Sequence, residues 1–289
     1  MTRRLSALIV LALLTGCSST VGPRFTQRSD VTMPCDPSPP LDARVRAGDL
    51  TIVPHDAQQV RVDAVLKSPH LERVQQAELR VREESDGTIV VDVLWPGDTR
   101  RDNESASLTI HLPQANGVTL QTGSGDVDVK GMGGPLVART GSGDVELHNH
   151  AGSVEVITGS GDVEASDIAG EVRARTGSGD TTLRRVSRYV DVRTGSGDVD
   201  VNMLPQASAP IVIRTGSGDV DVRVGEGMRG EMSMSAGSGD VSLGTMPAGL
   251  QWQMMSQGNR WMVVRLGGSE EPASSIDTGS GDIRVQRLP

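Results

Sequence analysis

The sequence predicts an all-β protein, a β-solenoid of stacked two-strand rungs of 18 to 21 residues with an N-terminal β subdomain. Three observations predict it. The tetrapeptide Gly-Ser-Gly-Asp recurs with its last residue at Asp126, Asp144, Asp162, Asp180, Asp198, Asp219, Asp240 and Asp282; the first four intervals are 18 residues, the next two 21, and the last 42, twice 21. Around each tetrapeptide apolar and polar residues alternate, the period of a strand with one buried face. Aromatic residues make up 2% of the chain beside 35 glycines, so the core is a thin one of Val, Leu, Ala, Met and Thr.

The elements follow in chain order. In residues 1 to 16, Arg3 and Arg4 precede an apolar run from Leu5 to Leu14 that is too short to span a bilayer as a mature helix, the pattern of a secretory signal peptide. The stretch Leu14-Thr15-Gly16-Cys17 resembles the lipobox of bacterial lipoproteins. That resemblance implies cleavage before Cys17, lipidation of Cys17 by fatty acids such as palmitate, and, with Ser18 next, a place in the outer membrane of the cell envelope. Residues 17 to 40 are rich in Ser, Thr and Pro without hydrophobic period and read as a flexible tether. With Cys17 lipidated, Cys35 has no partner within the chain, so no disulfide framework holds the fold.

Residues 41 to 115 read as the N-terminal β subdomain. Strand alternation runs through Val60, Val62 and Ala64, through Leu79 and Val81, through Ile89, Val91 and Val93, and through Leu108, Ile110 and Leu112. Glu84-Ser85-Asp86-Gly87 is a hairpin turn signal, and Ser68-Pro69 can open a short helix.

Residues 116 to 289 are the solenoid repeats. Side-chain alternation points Val127 and Val129, Val145 and Leu147, Val199 and Val201, and Val220 and Val222 inward after the turn. Before it, Val172, Ala174 and Thr176, or Val190, Val192 and Thr194, do the same. The Thr preceding the tetrapeptide falls on the inward parity at Thr122, Thr140, Thr158, Thr176, Thr194, Thr215 and Thr278, with Ala236 the substitution. A buried hydroxyl needs a partner, so these residues form a ladder, each bonding a turn backbone group or the Thr one rung away. The two glycines supply the positive φ or the close approach of a tight corner. Because 42 is twice 21, one rung has lost its motif, and Gly258-Asn259-Arg260-Trp261 occupies the vacant slot.

The hairpin ending Ile89-Val90-Val91, the strand Leu108-Thr109-Ile110-His111-Leu112-Pro113 and the rungs after it resemble bacterial envelope proteins with the adhesin-like β-strand-repeat domain, a domain of unknown function. The resemblance covers most of residues 41 to 289. It implies a β-solenoid and an envelope location, and no reaction.

A net charge of -9 argues against nucleic acid as a partner, since a phosphate-binding surface needs a basic excess. Stacked Gly-Asp corners resemble calcium-binding toxin repeats, but one residue fewer separates Gly from Asp and the period differs, so a structural corner is favoured over a metal. Gly225-Glu226-Gly227-Met228-Arg229-Gly230 matches a dinucleotide fingerprint in letters, yet Met232-Ser233-Met234-Ser235 after it is a strand where the fingerprint requires a helix. No Gly-x-Ser-x-Gly elbow occurs. His148 and His150 could share a strand face as ligands, but two His alone make a weak metal site. Paired carboxylates such as Asp126 and Asp128 recur on most rungs, so none marks a catalytic acid and base.

Arg139, Arg175, Arg193 and Arg214 make a basic stripe on one sheet, and Asp128, Glu146, Glu164, Asp200 and Asp221 an acidic stripe on the other. Both read as solvated faces that discourage aggregation, with docking of an envelope polymer or protein as the functional alternative. The reading that results is a non-catalytic, adhesin-like or scaffold protein, held to the membrane by lipid, without cofactor. Its rivals are a polysaccharide-acting β-helix enzyme, for which Trp252 and Trp261 could stack on a sugar, and an envelope-stress accessory that binds a membrane protein.

Overall fold

A computed structural model describes residues 25 to 268 and 273 to 288, so the stretch read as a signal peptide and Cys17 lie outside the described residues. The chain forms two compact units, divided after Gly143. The first contains β1 (Phe25–Pro34), β2 (Leu41–Val45), β3 (Leu50–Pro54), β4 (Gln59–Ser68), α1 (Leu71–Gln76), β5 (Glu78–Glu83), β6 (Ile89–Leu94), β7 (Ser105–Leu112), β8 (Val118–Thr122), β9 (Val127–Lys130) and β10 (Leu136–Ser142). One of its sheets runs β1-β4-β7-β3-β9 and the other β10-β8-β2-β6-β5. Side chains on the inward parity fill the core, among them Leu41, Leu50, Ile52, Ile89, Leu108, Ile110 and Leu120.

Two features of this unit differ from the sequence reading. The stretch read as a tether contains β1, a ten-residue strand paired antiparallel with β4 from Phe25↔Ser68 to Pro34↔Gln59. The rungs also begin before residue 116, inside the stretch assigned to the subdomain. Strands β2 and β3 flank Arg46-Ala47-Gly48-Asp49 and pair in parallel with β8 and β9 on one side and with β6 and β7 on the other. This corner escaped the repeat because it keeps only the second glycine. A Cβ on Gly48 would sit 2.2 Å from the Ala106 carbonyl oxygen, whereas the first slot carries the full side chain of Arg46.

The hairpin signal and the helix signal correspond to elements. β5 and β6 pair antiparallel around Gly87, whose φ is 83°, and the Thr88 N–H donates to Asp86 Oδ1 at 3.0 Å. After Pro69, α1 packs through buried Val74. Beside it lies a buried ion pair. Glu104, 1% exposed, accepts from Arg73 at both carboxylate oxygens and from the Arg101 N–H at 2.7 Å, while the Ser68 hydroxyl donates to it at 3.2 Å. Arg73 also donates to the Pro96 and Thr99 carbonyls, so the pair fastens the loop between β6 and β7 onto α1.

The second unit contains β11 (Val145–His150), β12 (Val154–Ser160), β13 (Val163–Ile168), β14 (Val172–Ser178), β15 (Thr181–Val186), β16 (Val190–Ser196), β17 (Val199–Met203), β18 (Ile211–Ser217), β19 (Val220–Val224), β20 (Gly230–Ser238), β21 (Val241–Leu243), β22 (Trp252–Gln257), β23 (Trp261–Leu266), β24 (Ser274–Ser280) and β25 (Ile283–Arg287). Its sheets run β11-β13-β15-β17-β19-β25-β21 and β22-β23-β20-β24-β18-β16-β14-β12. Neighbouring rungs pair in parallel and in register, Thr176↔Thr194 and Thr194↔Thr215 among them. The change of period from 18 to 21 leaves the Gly-Asp corner untouched. The longer rungs take up their extra residues at the opposite corner, where Leu204 to Pro210 replaces the short link of Ala151 to Ser153.

The interval of 42 residues has a different cause from the one expected. No rung occupies the supposed slot: Gly258 to Trp261 turns an antiparallel hairpin between β22 and β23, closed by the Gly258 N–H on the Trp261 carbonyl. The chain then returns. Strand β24 lies between β18 and β20, and β25 between β19 and β21, so the rung of Asp282 is inserted between those of Asp219 and Asp240.

The Glu104 pair sets a pH dependence. Burial alone would raise its carboxyl, but the hydrogen bonds from Arg73 and the Arg101 N–H outweigh burial and hold it below the ordinary carboxylate value. A depressed folded value means that the pair stabilises the fold above the unfolded-state value and that this contribution is lost as pH falls through the folded one. Glu104→Gln should therefore cost about 2 to 3 kcal/mol in urea denaturation at neutral pH, and the gap to the parent should close in acid.

The stacked Gly-Asp corner and the terminal hairpin

The site that the sequence singles out is a column of corners, and its geometry starts from main-chain crowding. In the second glycine slot, a Cβ on Gly179 would lie 2.1 Å from the Gly161 carbonyl oxygen, and one on Gly197 2.0 Å from that of Gly179. These residues have φ of 141° and 148°, which L side chains rarely adopt. In the first slot, a Cβ on Gly177 would lie 2.5 Å from the Gly159 carbonyl oxygen. Stacking at roughly 4.8 Å thus leaves no room for a side chain at either position.

The polar residues of the motif bond from rung to rung. Thr122 Oγ1 donates to the Gly48 carbonyl at 2.9 Å, Thr140 to Gly125 at 3.1 Å, Thr176 to Gly161 at 3.3 Å, Thr194 to Gly179 at 3.4 Å, Thr215 to Gly197 at 3.3 Å and Thr278 to Gly218 at 3.1 Å. Thr158 is buried on the same parity. The partner of each of these six hydroxyls is the second glycine of the adjacent rung rather than another Thr. Seven carboxylates accept the N–H of the next motif Asp: Asp49 from Asp126 at 3.2 Å, Asp144 from Asp162, Asp162 from Asp180, Asp180 from Asp198 and Asp198 from Asp219 all at 2.8 Å, Asp219 from Asp282 at 2.7 Å, and Asp282 from Asp240 at 2.9 Å. A stack of like charges is offset by a stack of main-chain donors. One oxygen of each of these carboxylates is taken, and among the described residues no group of three or more His, Cys, Asp or Glu is placed to hold a metal ion.

One inward hydroxyl lacks this arrangement. Thr181 occupies the inward position held by Val163 and Val199 on the adjacent rungs, is 0% exposed, and has no hydrogen-bond partner among the described residues. Nothing in its sequence context separates it from the ladder except its place after the motif Asp.

The other singled-out residues do not converge. His148 is half-buried between Ser166 Oγ and Glu146, whereas the left-handed turn at Asn149, φ 56°, carries His150 into the core. The two His therefore share no ligand face. The stripes are not separate fields either. Arg193 pairs with Asp191 and Arg175 with Glu155 on one sheet, while Arg184 pairs with Glu164 and Arg223 with Asp200 and Asp221 on the other. The alternating parity that made each stripe also set its counter-charges on neighbouring positions of the same face.

Trp252, Met255 and Trp261 are the exposed large apolar residues among those described. Trp252 pairs with Leu266 and so shares the face of Met262 and Val264, the core face, whereas Trp261 lies on the opposite face with Val263 and Arg265. One sugar ring cannot stack on both. The fingerprint-like run from Gly225 to Gly230 leads directly into β20 and opens no helix.

A family model, the Toastrack DUF4097 domain, matches residues 41–286. The chain belongs to the Toastrack family. The match begins at Leu41, the first residue of the rung that lacks the full motif. No curated protein matches the sequence. Among solved structures, a candidate cell adhesion protein from Clostridium sporogenes is 11% identical with a TM-score of 0.28, covering 90% of this chain and 100% of its own. A candidate adhesin from Bacteroides fragilis is 14% identical with a TM-score of 0.47, covering 89% of this chain and 96% of its own. Likeness at that level says nothing of what this Toastrack protein binds.

The contrast between Thr176 and Thr181 is measurable. Thr176→Val removes a hydroxyl that is bonded and should lower unfolding stability by about 1 to 2 kcal/mol. Thr181→Val removes one that is buried without a partner and should raise stability by about 1 kcal/mol. Chemical denaturation of the two variants beside the parent checks both signs.

Proposed function

We propose that this Toastrack protein is a non-catalytic, lipid-anchored component of the bacterial cell envelope, an adhesin-like or scaffold β-solenoid that contacts an envelope polymer or protein. One observation carries the reading: the Thr and Asp side chains of the repeated motif bond to neighbouring rungs. The Thr hydroxyls go to glycine carbonyls and the Asp carboxylates to backbone N–H groups, which builds stiffness and leaves no convergent acid, base and nucleophile in the corners. The anchor rests on the sequence, where Leu14-Thr15-Gly16-Cys17 follows a charged and then apolar start and Ser18 points to the outer membrane. Among the described residues no helix is long and apolar enough to cross a membrane. Several acyl chains, each contributing about 0.8 kcal/mol per buried CH₂, hold a protein at a bilayer where a single chain does not.

The experiment is fractionation of cells that express the parent or Cys17→Ala, with metabolic labelling by a fatty-acid analogue. The parent should label and sediment with membranes, and Cys17→Ala should lose the label and leave the membrane fraction. Labelling that persists in Cys17→Ala would remove the anchor from this reading.

A further inference from the structure

The inserted rung is a ligand-like element in a site of defined chemistry. The two rungs that flank it, β18 with β19 and β20 with β21, are joined to each other through Gly225 to Arg229 without passing through it. That link is fixed in place, since the Gly227 N–H donates to the Pro205 carbonyl and Met228 is 1% exposed. Between the flanking rungs lies a cleft one rung high that is open on both sheets when residues 274 to 287 are set aside. Its walls are four strand edges, and every recognition group on them is one that a rung requires.

The register defines what fits. On one wall Ile213 and Thr215 pair with Ile276 and Thr278, and on the other Met234 and Ala236 pair with the same residues. The Gly218 carbonyl accepts the Thr278 hydroxyl, Asp219 Oδ1 accepts the Asp282 N–H, and Asp282 Oδ1 accepts the Asp240 N–H. A Cβ on Gly281 would be 2.2 Å from the Gly218 carbonyl oxygen, so the corner admits only glycine. Ile276, Ile283 and Val285 are fully buried. The cleft thus selects an apolar strand, a Thr-Gly-Ser-Gly-Asp corner and a second apolar strand, added in parallel between two edges.

We propose that this cleft is a strand-pair acceptor that takes the segment 273–288 of a second copy of the chain, so that copies join by reciprocal exchange of that rung. The occupant follows from the chemistry, because every copy carries the segment that meets all of these requirements, and exchange of an identical element adds no contact that is foreign to the fold. β24 and β25 follow the β22–β23 hairpin in chain order, and β21 is paired with β25 alone, so an incoming segment also restores the partner of β21.

The test uses the full chain with Cys17 and Cys35 replaced by Ser. Val212 and Ser275 are directly paired and half-exposed on β18 and β24, a spacing at which a disulfide closes. Val212→Cys and Ser275→Cys are prepared separately, mixed, unfolded in denaturant, refolded at high protein concentration and oxidised. A disulfide-linked dimer that maps to positions 212 and 275, formed in the mixture and in neither preparation alone, is the expected result. The double variant should close the same disulfide within one chain when refolded dilute. If the double variant closes its disulfide while the mixture stays uncrosslinked, the cleft serves only its own segment and the proposal fails. If neither crosslinks, the insertion itself is wrong and the proposal falls with it.

Discussion

Everything in the repeat depends on how closely one corner's backbone approaches the next. Parallel strands hold their neighbours at roughly 4.8 Å, and at a tight corner that spacing leaves a carbonyl oxygen where a Cβ would stand. Both glycines of the motif are dictated by this crowding. Once they are in place, the carbonyl that crowds them becomes the acceptor for the Thr hydroxyl, and the Asp beside them reaches the N–H of the next corner. The five residues form one joint, repeated, in which the steric demand and the hydrogen bonds come from the same approach.

That joint explains why the repetition points away from catalysis. An active site needs side chains that converge on a substrate and differ from their surroundings, whereas each corner here resembles the one above it and directs its acceptors along the stack. The charged residues outside the corners behave likewise, since Arg184, Arg193 and Arg223 each meet a carboxylate on their own sheet. The departures from repetition lie at the flanks of the rungs. The Glu104 and Arg73 pair fastens a loop in the first unit, and the β22–β23 hairpin covers an edge strand in the second. A hairpin on that edge leaves β20 paired on both sides, which protects a strand that would otherwise template aggregation.

Much of the fold was legible in the sequence, for a reason that also sets the limit. Alternation placed Val172, Ala174 and Thr176 inside because one face of each strand is buried. The 18-residue period located the corners because each glycine is demanded by a neighbour. The corner at Arg46 is flanked by Ala106 rather than by a motif corner on one side and carries a side chain in its first slot, so the first rung loses its signature. Residues 25 to 34 look like a tether because β1 sits at a sheet edge, paired with β4 alone, where Ser, Thr and Asp can face water. The interval of 42 residues was ambiguous in principle, since rung register is the same in any slot and spacing along the chain does not report order in the stack. Likewise the Thr ladder was readable from parity, but its acceptor was not, because the glycine carbonyl belongs to a neighbouring rung. Thr176 and Thr181 differ in sequence only by their place before and after the motif, and the structure shows that the first has an acceptor and the second none among the described residues.

Crowding between corners, rather than the glycine conformation alone, fixes the motif. Gly177 and Gly87 separate the two, since Gly177 is not among the positive-φ residues yet a Cβ there meets the Gly159 carbonyl oxygen at 2.5 Å, whereas Gly87 has a φ of 83° and a Cβ there meets nothing within 4 Å. Denaturation of Gly177→Ala beside Gly87→Ala measures the difference. A loss of about 1 to 2 kcal/mol is expected at Gly87, the cost of a left-handed alanine, and a much larger loss or failure to fold at Gly177. Equal losses at the two positions would contradict it.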